Sequence, residues 1–465
     1  MRLFGTSGIR GVVNADLTPE LALAVGMALA SLRGPGTYLL GRDARTTGPL
    51  IGMAFSSGVM ACGGDVLDVG LIPTGALAFL TRELGAKAGC VITASHNPPE
   101  YNGLKLFRPD SAPLWPDEQE EIEAFVEKRS FKRAPWISVG RYERTEEAWR
   151  YVEALSSAFE LRKKWQVVLD PGCGSASAVA PEVFRALGCD VVALNARPDG
   201  HFPARSPDPR PDTISELCQM VRALGADVGF AYDGDADRMV VVDERGSFVP
   251  FDVALAAFAA HTVRSRGNGL VITTVEASMC VEEAVEEAGG RVEKTRVGDI
   301  YVSMEVARRG AVFGGEPCGA WVIPSVHLCA DGILSSLALL KALDEEGLRP
   351  SEFFKPIPRL CTIRKKTPCP NELKAKAMSI LKDALPSSFR RVKALIDIDG
   401  LRLELEDAWV LVRPSGTEPV IRITAEAPDA KRAEEVASKA LELVEKAVGE
   451  AGRKGHQAVD ELLGR

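Results

Sequence analysis

Short apolar runs, often β-branched, alternate with longer helix-like segments through the first three quarters of the chain. Residues 90–93, 167–169 and 270–273 read as strands with little polar interruption. Between such runs lie helix-like segments of about ten residues, as at 21–32 and 279–288. Nearly continuous apolar strands separated by helices predict parallel α/β sheets that are covered on both faces.

A weak internal repeat runs through this part of the chain. Three times an approach rich in Ala and Gly leads into a short apolar strand and then into a polar loop, and these loops contain Ser95, Asp233 and Glu316. Open α/β sheets bind ligands beyond the carboxyl ends of their strands. The repeat therefore predicts three related α/β domains with mixed, largely parallel sheets, each contributing one loop to a shared central cleft.

The last hundred residues have a different pattern. Residues 396–405 alternate at period two across a turn, two further strand-like runs flank a polar loop, and a helix rich in Glu, Lys and Ala closes the chain. This pattern predicts a C-terminal α+β domain with an antiparallel sheet. The predicted domains are residues 1–145, 146–246, 247–355 and 356–465.

Composition and charge narrow the class of protein. The 465 residues include 56 Lys and Arg and 64 Asp and Glu, which gives a net charge of −8. The sequence has no dense block of basic residues, so we do not expect a nucleic-acid partner. The apolar segment 21–32 is too short to span a membrane, and Thr18 and Pro19 before it are typical of a helix start. The ten cysteines lack C-x-x-C spacing, so we expect a cytoplasmic protein.

The first polar loop carries Ser95, His96 and, ten residues after the serine, Lys105. A serine that directly follows a strand can project its hydroxyl into a cleft, but a free serine is a weak nucleophile and needs activation. His96 and Lys105 supply nearby basic or cationic groups. The alternative is a β-turn in which Ser95 only caps backbone groups.

The second polar loop places three carboxylates at alternate positions, Asp233, Asp235 and Asp237, followed directly by Arg238. Such a loop can converge on one hard divalent cation, and the arginine suits a phosphoryl oxygen. The spacing partly matches an EF-hand. However, Arg238 stands where that loop requires Gly, and the next four residues have a strand pattern.

Three further loops carry candidate chemistry. Glu316 lies on a loop flanked by glycines and could bind vicinal sugar hydroxyls, and a glycine-rich loop near the start ends in Arg10. A loop in the last domain combines a forked cation, two hydroxyls and a glycine that lets backbone N–H groups approach an oxyanion. Its residues are Arg413, Ser415, Gly416 and Thr417.

The order and composition of these loops resemble those of the α-D-phosphohexomutases over essentially the whole chain. The resemblance implies four domains around a central cleft. It also implies interconversion of hexose 6-phosphate and hexose 1-phosphate through a phosphoserine and a 1,6-bisphosphate intermediate. It further implies one Mg²⁺ per chain, a hexose 1,6-bisphosphate activator and a small hexose phosphate as partner. The chain would act as a monomer or homodimer, with neither nucleic acid nor membrane.

The resemblance also assigns roles to residues. Ser95 would be the phosphoserine, Lys105 the general base and acid, and Arg10, His96 and Arg238 contacts of the transferring phosphoryl group. The implied magnesium ligands are Ser95, Asp233, Asp235 and Asp237. The implied sugar contacts are Gly298, Asp299, Glu316 and Cys318. The implied contacts of the non-reacting phosphate are Arg413, Ser415, Gly416 and Thr417.

Departures from the family pattern affect the expected substrate. Cys318 and Ala320 stand where the sugar loop usually has Ser and His. The loops at 5–11 and 413–419 resemble the phosphoglucosamine mutase branch, whereas 97–103 resembles the phosphomannomutase/phosphoglucomutase branch. We expect glucosamine phosphate as substrate. The alternatives are mannose or glucose phosphate, a metal-dependent sugar phosphatase, and a non-catalytic sugar-phosphate sensor.

Overall fold

Four β-sheets, each with its own helices, follow one another along the chain. The computed structural model describes residues 3–416 and 418–462, with side chains as far as Arg453. Among these residues no helix is both long and apolar enough to cross a bilayer.

The first sheet has six strands in the order β1-β5-β4-β2-β3-β6, of which β1–β5 and β5–β4 are antiparallel pairs. The strands are β1 (Ile9–Val12), β2 (Gly36–Arg42), β3 (Gly64–Leu71), β4 (Ala88–Ile92), β5 (Tyr101–Phe107) and β6 (Tyr142–Arg144). The helices are α1 (Pro19–Arg33), α2 (Gly48–Ala61), α3 (Thr74–Glu83) and α4 (Pro116–Lys128), and α5 (Ala148–Ala158) follows the sheet. As predicted, Thr18 caps α1 by accepting a hydrogen bond from the Leu21 N–H.

The second and third sheets have four strands each. The second contains β7 (Gln166–Asp170), β8 (Asp190–Ala193), β9 (Val228–Tyr232) and β10 (Met239–Val242), with helices α6 (Ala180–Ala186) and α7 (Ser215–Leu224). The third contains β11 (Leu270–Thr274), β12 (Arg291–Thr295), β13 (Phe313–Gly315) and β14 (Trp321–Val322). Its helices are α8 (Phe251–Arg266), α9 (Met279–Glu287), α10 (Asp299–Arg309), α11 (Gly332–Glu346) and α12 (Pro350–Phe353).

The predicted repeat is visible in the strand orders. The three sheets share the patterns β5-β4-β2-β3, β10-β9-β7-β8 and β14-β13-β11-β12, in which the first strand is antiparallel and the others are parallel. In each pattern the candidate loop joins the second strand to the antiparallel first strand. The prediction of three related α/β units is therefore confirmed. The strand β10 also excludes the EF-hand, which requires a helix there.

The fourth sheet is antiparallel throughout, in the order β15-β19-β18-β17-β16, which confirms the α+β prediction. Its strands are β15 (Cys361–Pro368), β16 (Val392–Ile396), β17 (Leu401–Leu405), β18 (Trp409–Pro414) and β19 (Val420–Ala427). Two helices cover it, α13 (Asn371–Ser388) and α14 (Ala430–Leu462). The residue bounds that we predicted for the four domains remain a prediction.

An apolar cluster joins the first three units to one another but does not extend into the fourth unit. One continuous cluster joins the first three units, with Phe79, Phe230 and Leu337 among its buried members. The fourth unit buries a separate cluster between its sheet and α13 and α14. The first three sheets therefore share a core, whereas the fourth has its own.

The fourth unit contacts the third through a small seam. Trp409 and Leu411 pack on Val275, and the buried Arg402 donates hydrogen bonds of 2.8 Å to the carbonyls of Val275 and Ala277. Nearby, the buried carboxylate of Glu426 accepts hydrogen bonds from the Ser278 hydroxyl, the Met279 N–H and the Trp409 indole. The buried charged groups Arg402 and Glu426 at this seam thus have hydrogen-bond partners.

Candidate active site

Ser95 is buried at the end of β4, in the cleft where the first two units meet. Its hydroxyl donates a 2.5 Å hydrogen bond to Asp233 Oδ2, and the same oxygen lies 3.2 Å from His96 Nδ1. The backbone of Ser95 has φ +50°, which is unfavourable by about 1–2 kcal/mol for a residue with a Cβ. The surrounding structure must therefore hold this residue in place.

Arg45 is the residue that holds the serine loop, and the sequence analysis missed it. Its buried guanidinium donates hydrogen bonds to the carbonyls of Ser95, Asn97, Pro98 and Tyr101 at 2.5–2.8 Å. Its Nε bonds to Asp43, 3.0 Å away. Four of the five donors of this rigid plane thereby fix one loop, and the fifth anchors the guanidinium to Asp43. The position of Arg45, just beyond the carboxyl end of β2, is a signal that could have found it.

The three aspartates of the second loop come together as predicted. Asp233, Asp235 and Asp237 are buried, and each offers a carboxylate oxygen within 4.8 Å of the others. Gly234 permits this approach, because a Cβ at that position would lie 2.5 Å from the Ser95 carbonyl oxygen. Burial, together with the charges of Asp237 and Asp235, raises the pKa of Asp233 well above its usual value. This repulsion indicates a site that requires a cation.

Lys105 supplies a cation to this cluster. From β5, its ammonium donates to Asp235 Oδ2 at 2.6 Å and also to Asp237 Oδ2. Burial opposes its charge, but the two aspartates outweigh burial and raise the pKa of Lys105 above its usual value. Thr74, at the start of α3, also donates to Asp235 at 2.7 Å. The sequence analysis missed Thr74, which lies near the carboxyl end of β3.

The fit of a divalent cation can be judged from the remaining oxygens. Asp235 Oδ1 and Asp237 Oδ1 are buried and have no hydrogen-bond partner among the described residues. Buried carboxylate oxygens without a partner are costly, and hard cations such as Mg²⁺ prefer such oxygen ligands. The donor set therefore fits a magnesium-type ion.

Cationic and neutral donors surround the serine. Arg10 donates to the Asn97 side chain at 3.0 Å, but its buried Nε and Nη2 have no partner among the described residues. Arg238 lies with its Nε 3.8 Å from Asp237 Oδ1. Burial and the charges of Arg238 and Arg10 lower the pKa of His96 to about 2, so the imidazole is neutral. These groups can receive an anion next to Ser95.

The predicted sugar residues lie together in the third unit. The buried Glu316 accepts a 2.9 Å hydrogen bond from the Gly298 N–H, and Asp299 accepts one of 3.2 Å from the Ser7 hydroxyl. Gly298 has φ +134°, a conformation that favours glycine. Burial and the charge of Asp299 raise the pKa of Glu316 to about 8. Cys318 follows on the same loop, half-buried.

The predicted phosphate loop has its arginine already engaged by acids. Arg413 pairs with Glu276 at 2.9 Å and with Asp399 at 3.0 Å. Ser415 accepts a hydrogen bond from the Glu418 N–H, and Gly416 is exposed with open space around it. Thr417 lies outside the described residues. Glu276, which follows β11, is a third residue that the sequence analysis missed.

The four units thus place a serine and a carboxylate cluster at one end of the cleft and an arginine loop at the other. Four family domains described as phosphoglucomutase/phosphomannomutase match in order, three α/β/α domains and a C-terminal domain. They cover residues 1–133, 149–246, 251–360 and 365–443.

Comparison with individual proteins extends this match to nearly the whole chain. Probable phosphoglucosamine mutases of Pyrococcus abyssi and Thermococcus kodakarensis are 44% and 45% identical, over 97% of this chain and 99–100% of theirs. A crystal structure of a phosphoglucomutase/phosphomannomutase family protein from Burkholderia thailandensis is 28% identical. It covers 95% of this chain and 97% of its own, with TM-score 0.86. The chain belongs to the α-D-phosphohexomutase family, whose members are isomerases.

Proposed function

We propose that this phosphohexomutase interconverts glucosamine 6-phosphate and glucosamine 1-phosphate through a phosphoserine at Ser95. The observation that carries the proposal is the contact of the Ser95 hydroxyl with the aspartate cluster, with the cations Arg10 and Arg238 beside it. The names of the archaeal relatives support the amino sugar over other hexoses. The four domain matches support the mutase chemistry.

The ligands of one Mg²⁺ would be Asp233, Asp235 and Asp237, together with Ser95. When bound, this ion would neutralise charge on the phosphoryl oxygens. The two carboxylate oxygens without partners support this assignment. Arg10 and Arg238 would bind the same phosphoryl group. The partnerless Nε and Nη2 of Arg10 are the donors available for it. Neutral His96, 3.2 Å from the serine oxygen, would donate or accept one hydrogen bond there.

The transfer step breaks the bond between phosphorus and Ser95 Oγ and forms a bond to the free hydroxyl of a bound hexose phosphate. We assign to Lys105 the transfer of the hydroxyl proton and its return in the reverse step. In this structure the lysine is held as an ammonium between Asp235 and Asp237. It must therefore separate from these carboxylates and lose one proton to water before the neutral amine can accept the hydroxyl proton.

The second half of the cycle returns the other phosphate to Ser95 after the bisphosphate has turned end for end. Arg413, Ser415, Gly416 and Thr417 would hold the phosphate that does not react. Gly298, Asp299, Glu316 and Cys318 would face the sugar. A hexose 1,6-bisphosphate activator, which can restore the phosphoserine, belongs to the same proposal. So does a cytoplasmic location, which the ten free cysteines support.

The test is an isomerisation assay with the 1-phosphates of glucosamine, glucose and mannose, with Mg²⁺ and a catalytic amount of each matching bisphosphate. We expect the highest kcat/KM for glucosamine 1-phosphate. Ser95→Ala should lose at least about 10⁴-fold of the rate, because no covalent phosphoryl carrier remains. Ser57→Ala, on the exposed face of α2, is the matched control. Isomerisation by Ser95→Ala at the wild-type rate would disprove the phosphoserine. Phosphate release faster than isomerisation would indicate a phosphatase.

A further inference from the structure

Three carboxylates lie along the cleft between the serine end and the arginine loop. Asp299 is at the serine end, where it lines one small cavity together with Ser7 and Lys105. Glu276 is at the other end, where it pairs with Arg413 at 2.9 Å. Glu316 is linked to both ends, because it accepts a hydrogen bond from the Gly298 N–H, next to Asp299, and its neighbour Pro317 lines one cavity with Glu276. Neither Asp299 nor Glu316 forms an ion pair within 4 Å among the described residues.

Glu276 occupies a position where a ligand anion is expected. It comes from the third unit, directly after β11, whereas Arg413 belongs to β18 of the fourth. The two line one cavity of about 520 Å³ together with Pro317, the neighbour of Glu316. A carboxylate on the forked guanidinium mimics a phosphate there. Both side chains are partly exposed, Glu276 at 41% and Arg413 at 26%, so the pair can exchange partners.

The covalent structure of glucosamine phosphate makes a demand that a single carboxylate cannot meet. The 2-amino group lies next to C1. When the 6-phosphate is held at Arg413, C1 faces Ser95, and the amino group lies at the serine end. When the 1-phosphate is held at Arg413, C1 and the amino group lie at the arginine end. The ammonium therefore occupies opposite ends of the cleft in the two binding modes.

We propose that Asp299 and Glu276 are specificity-determining residues that pair with the 2-ammonium of the substrate, one in each orientation. Asp299 binds the ammonium of glucosamine 6-phosphate, and Glu276 binds that of glucosamine 1-phosphate. Glu276 becomes available because the substrate phosphate displaces it from Arg413. The inference rests on the proposed function, since it takes the end-for-end turn as given.

The inference is tested by equilibrium binding, which separates the two orientations without turnover. Calorimetry is carried out at mildly acidic pH in the Ser95→Ala background, with glucosamine and glucose as their 1- and 6-phosphates. Glu276→Gln should weaken glucosamine 1-phosphate about tenfold relative to glucose 1-phosphate and should not weaken glucosamine 6-phosphate. Asp299→Asn should give the reverse pattern. Neither variant should weaken the glucose phosphates, and Glu276→Gln should tighten both of them to a similar extent, because the carboxylate no longer competes with the phosphate for Arg413.

Controls keep the result interpretable. Glu287→Gln removes an exposed carboxylate from the same unit and should change none of the four affinities. Equal weakening of glucosamine 1-phosphate and glucose 1-phosphate by Glu276→Gln would overturn the inference, as would unchanged affinities in both variants. The wild-type assay above tests the proposed function independently. If the wild-type protein has mutase activity on glucosamine phosphate but the variants lack these orientation-dependent losses of affinity, the roles of Asp299 and Glu276 are wrong and the proposed function stands.

Discussion

The two ends of the cleft are built in opposite ways. The proposed transfer centre, meaning Ser95, Lys105, Asp233, Asp235 and Asp237, is almost fully buried and lies on the first two units, which are joined by a shared apolar cluster. The clamp, meaning Arg413, Ser415 and Gly416, lies on a unit with a separate core, and its arginine is bound by acids from two units. We infer that the serine end is organised before substrate arrives, and that the arginine end completes its contacts on binding.

This difference matches the different tasks of the two ends. Phosphoryl transfer depends on groups held in position before charge develops. A clamp must instead accept either phosphate of the same sugar and release it in each cycle, so exchangeable ion pairs suit it. Variants at the transfer centre should therefore act mainly on kcat, and variants at the clamp mainly on KM.

The largest expected effect is that of Lys105→Ala, which should lower kcat by about 10²–10⁴-fold, as expected on removal of a general acid or base. Steady-state isomerisation kinetics measure this loss. Lys87→Ala, an exposed lysine of the same unit, is the control. An unchanged kcat would remove Lys105 from proton transfer.

Arg45→Lys should be the next largest, with kcat lowered by about 10²-fold. A lysine cannot reproduce the planar fork that binds four loop carbonyls, and a displaced Ser95 loses alignment. The loss should fall on kcat with KM nearly constant, and Tm should also decrease. Arg141→Lys, an exposed position, is the control. Wild-type kcat in a folded Arg45→Lys protein would show that the serine loop keeps its conformation without the guanidinium of Arg45.

Arg413→Lys should raise KM about tenfold and leave kcat within a few-fold, because lysine binds phosphate as a point charge without the bidentate fork. Initial rates over a range of substrate concentration measure both constants. Arg391→Lys, exposed in the same unit, serves for comparison. A loss confined to kcat would mean that the arginine loop is organised before substrate binds, as the serine end is, and would contradict the difference between the two ends.

The smallest expected effect concerns pH at the seam. Asp252 accepts a 2.9 Å hydrogen bond from the Ser278 N–H, and burial raises its pKa to about 6. Because the folded-state pKa lies above the usual value, stability is lost as pH rises through about 6. Asp252→Asn removes this loss and should raise Tm by a few degrees at pH 8 and hardly at all at pH 3.5, below the usual pKa of an aspartate. Thermal unfolding at both pH values measures the difference, and an equal shift at both would contradict this origin.

Sequence patterns predicted the structural features that depend on residues close to one another along the chain. The start of α1, the β16–β17 hairpin and the loop after each repeat strand are of this kind. Arg45, Thr74 and Glu276 were missed because their partners lie about 50, 161 and 137 residues away. Each of the three nevertheless follows the carboxyl end of a parallel strand. Applying that rule to every strand, and not only to the repeated ones, would have found them.

The grip of Arg402 on the carbonyls of residues 275 and 277 bears on the timescale of catalysis. Hydrogen bonds from the fourth unit hold the backbone on both sides of Glu276, which keeps this residue next to Arg413. Transfer of its carboxylate from arginine to sugar then needs only rotation of a half-exposed side chain. Such rotations take picoseconds to nanoseconds. In the proposed exchange, rotation of the Glu276 side chain is accordingly too fast to limit turnover.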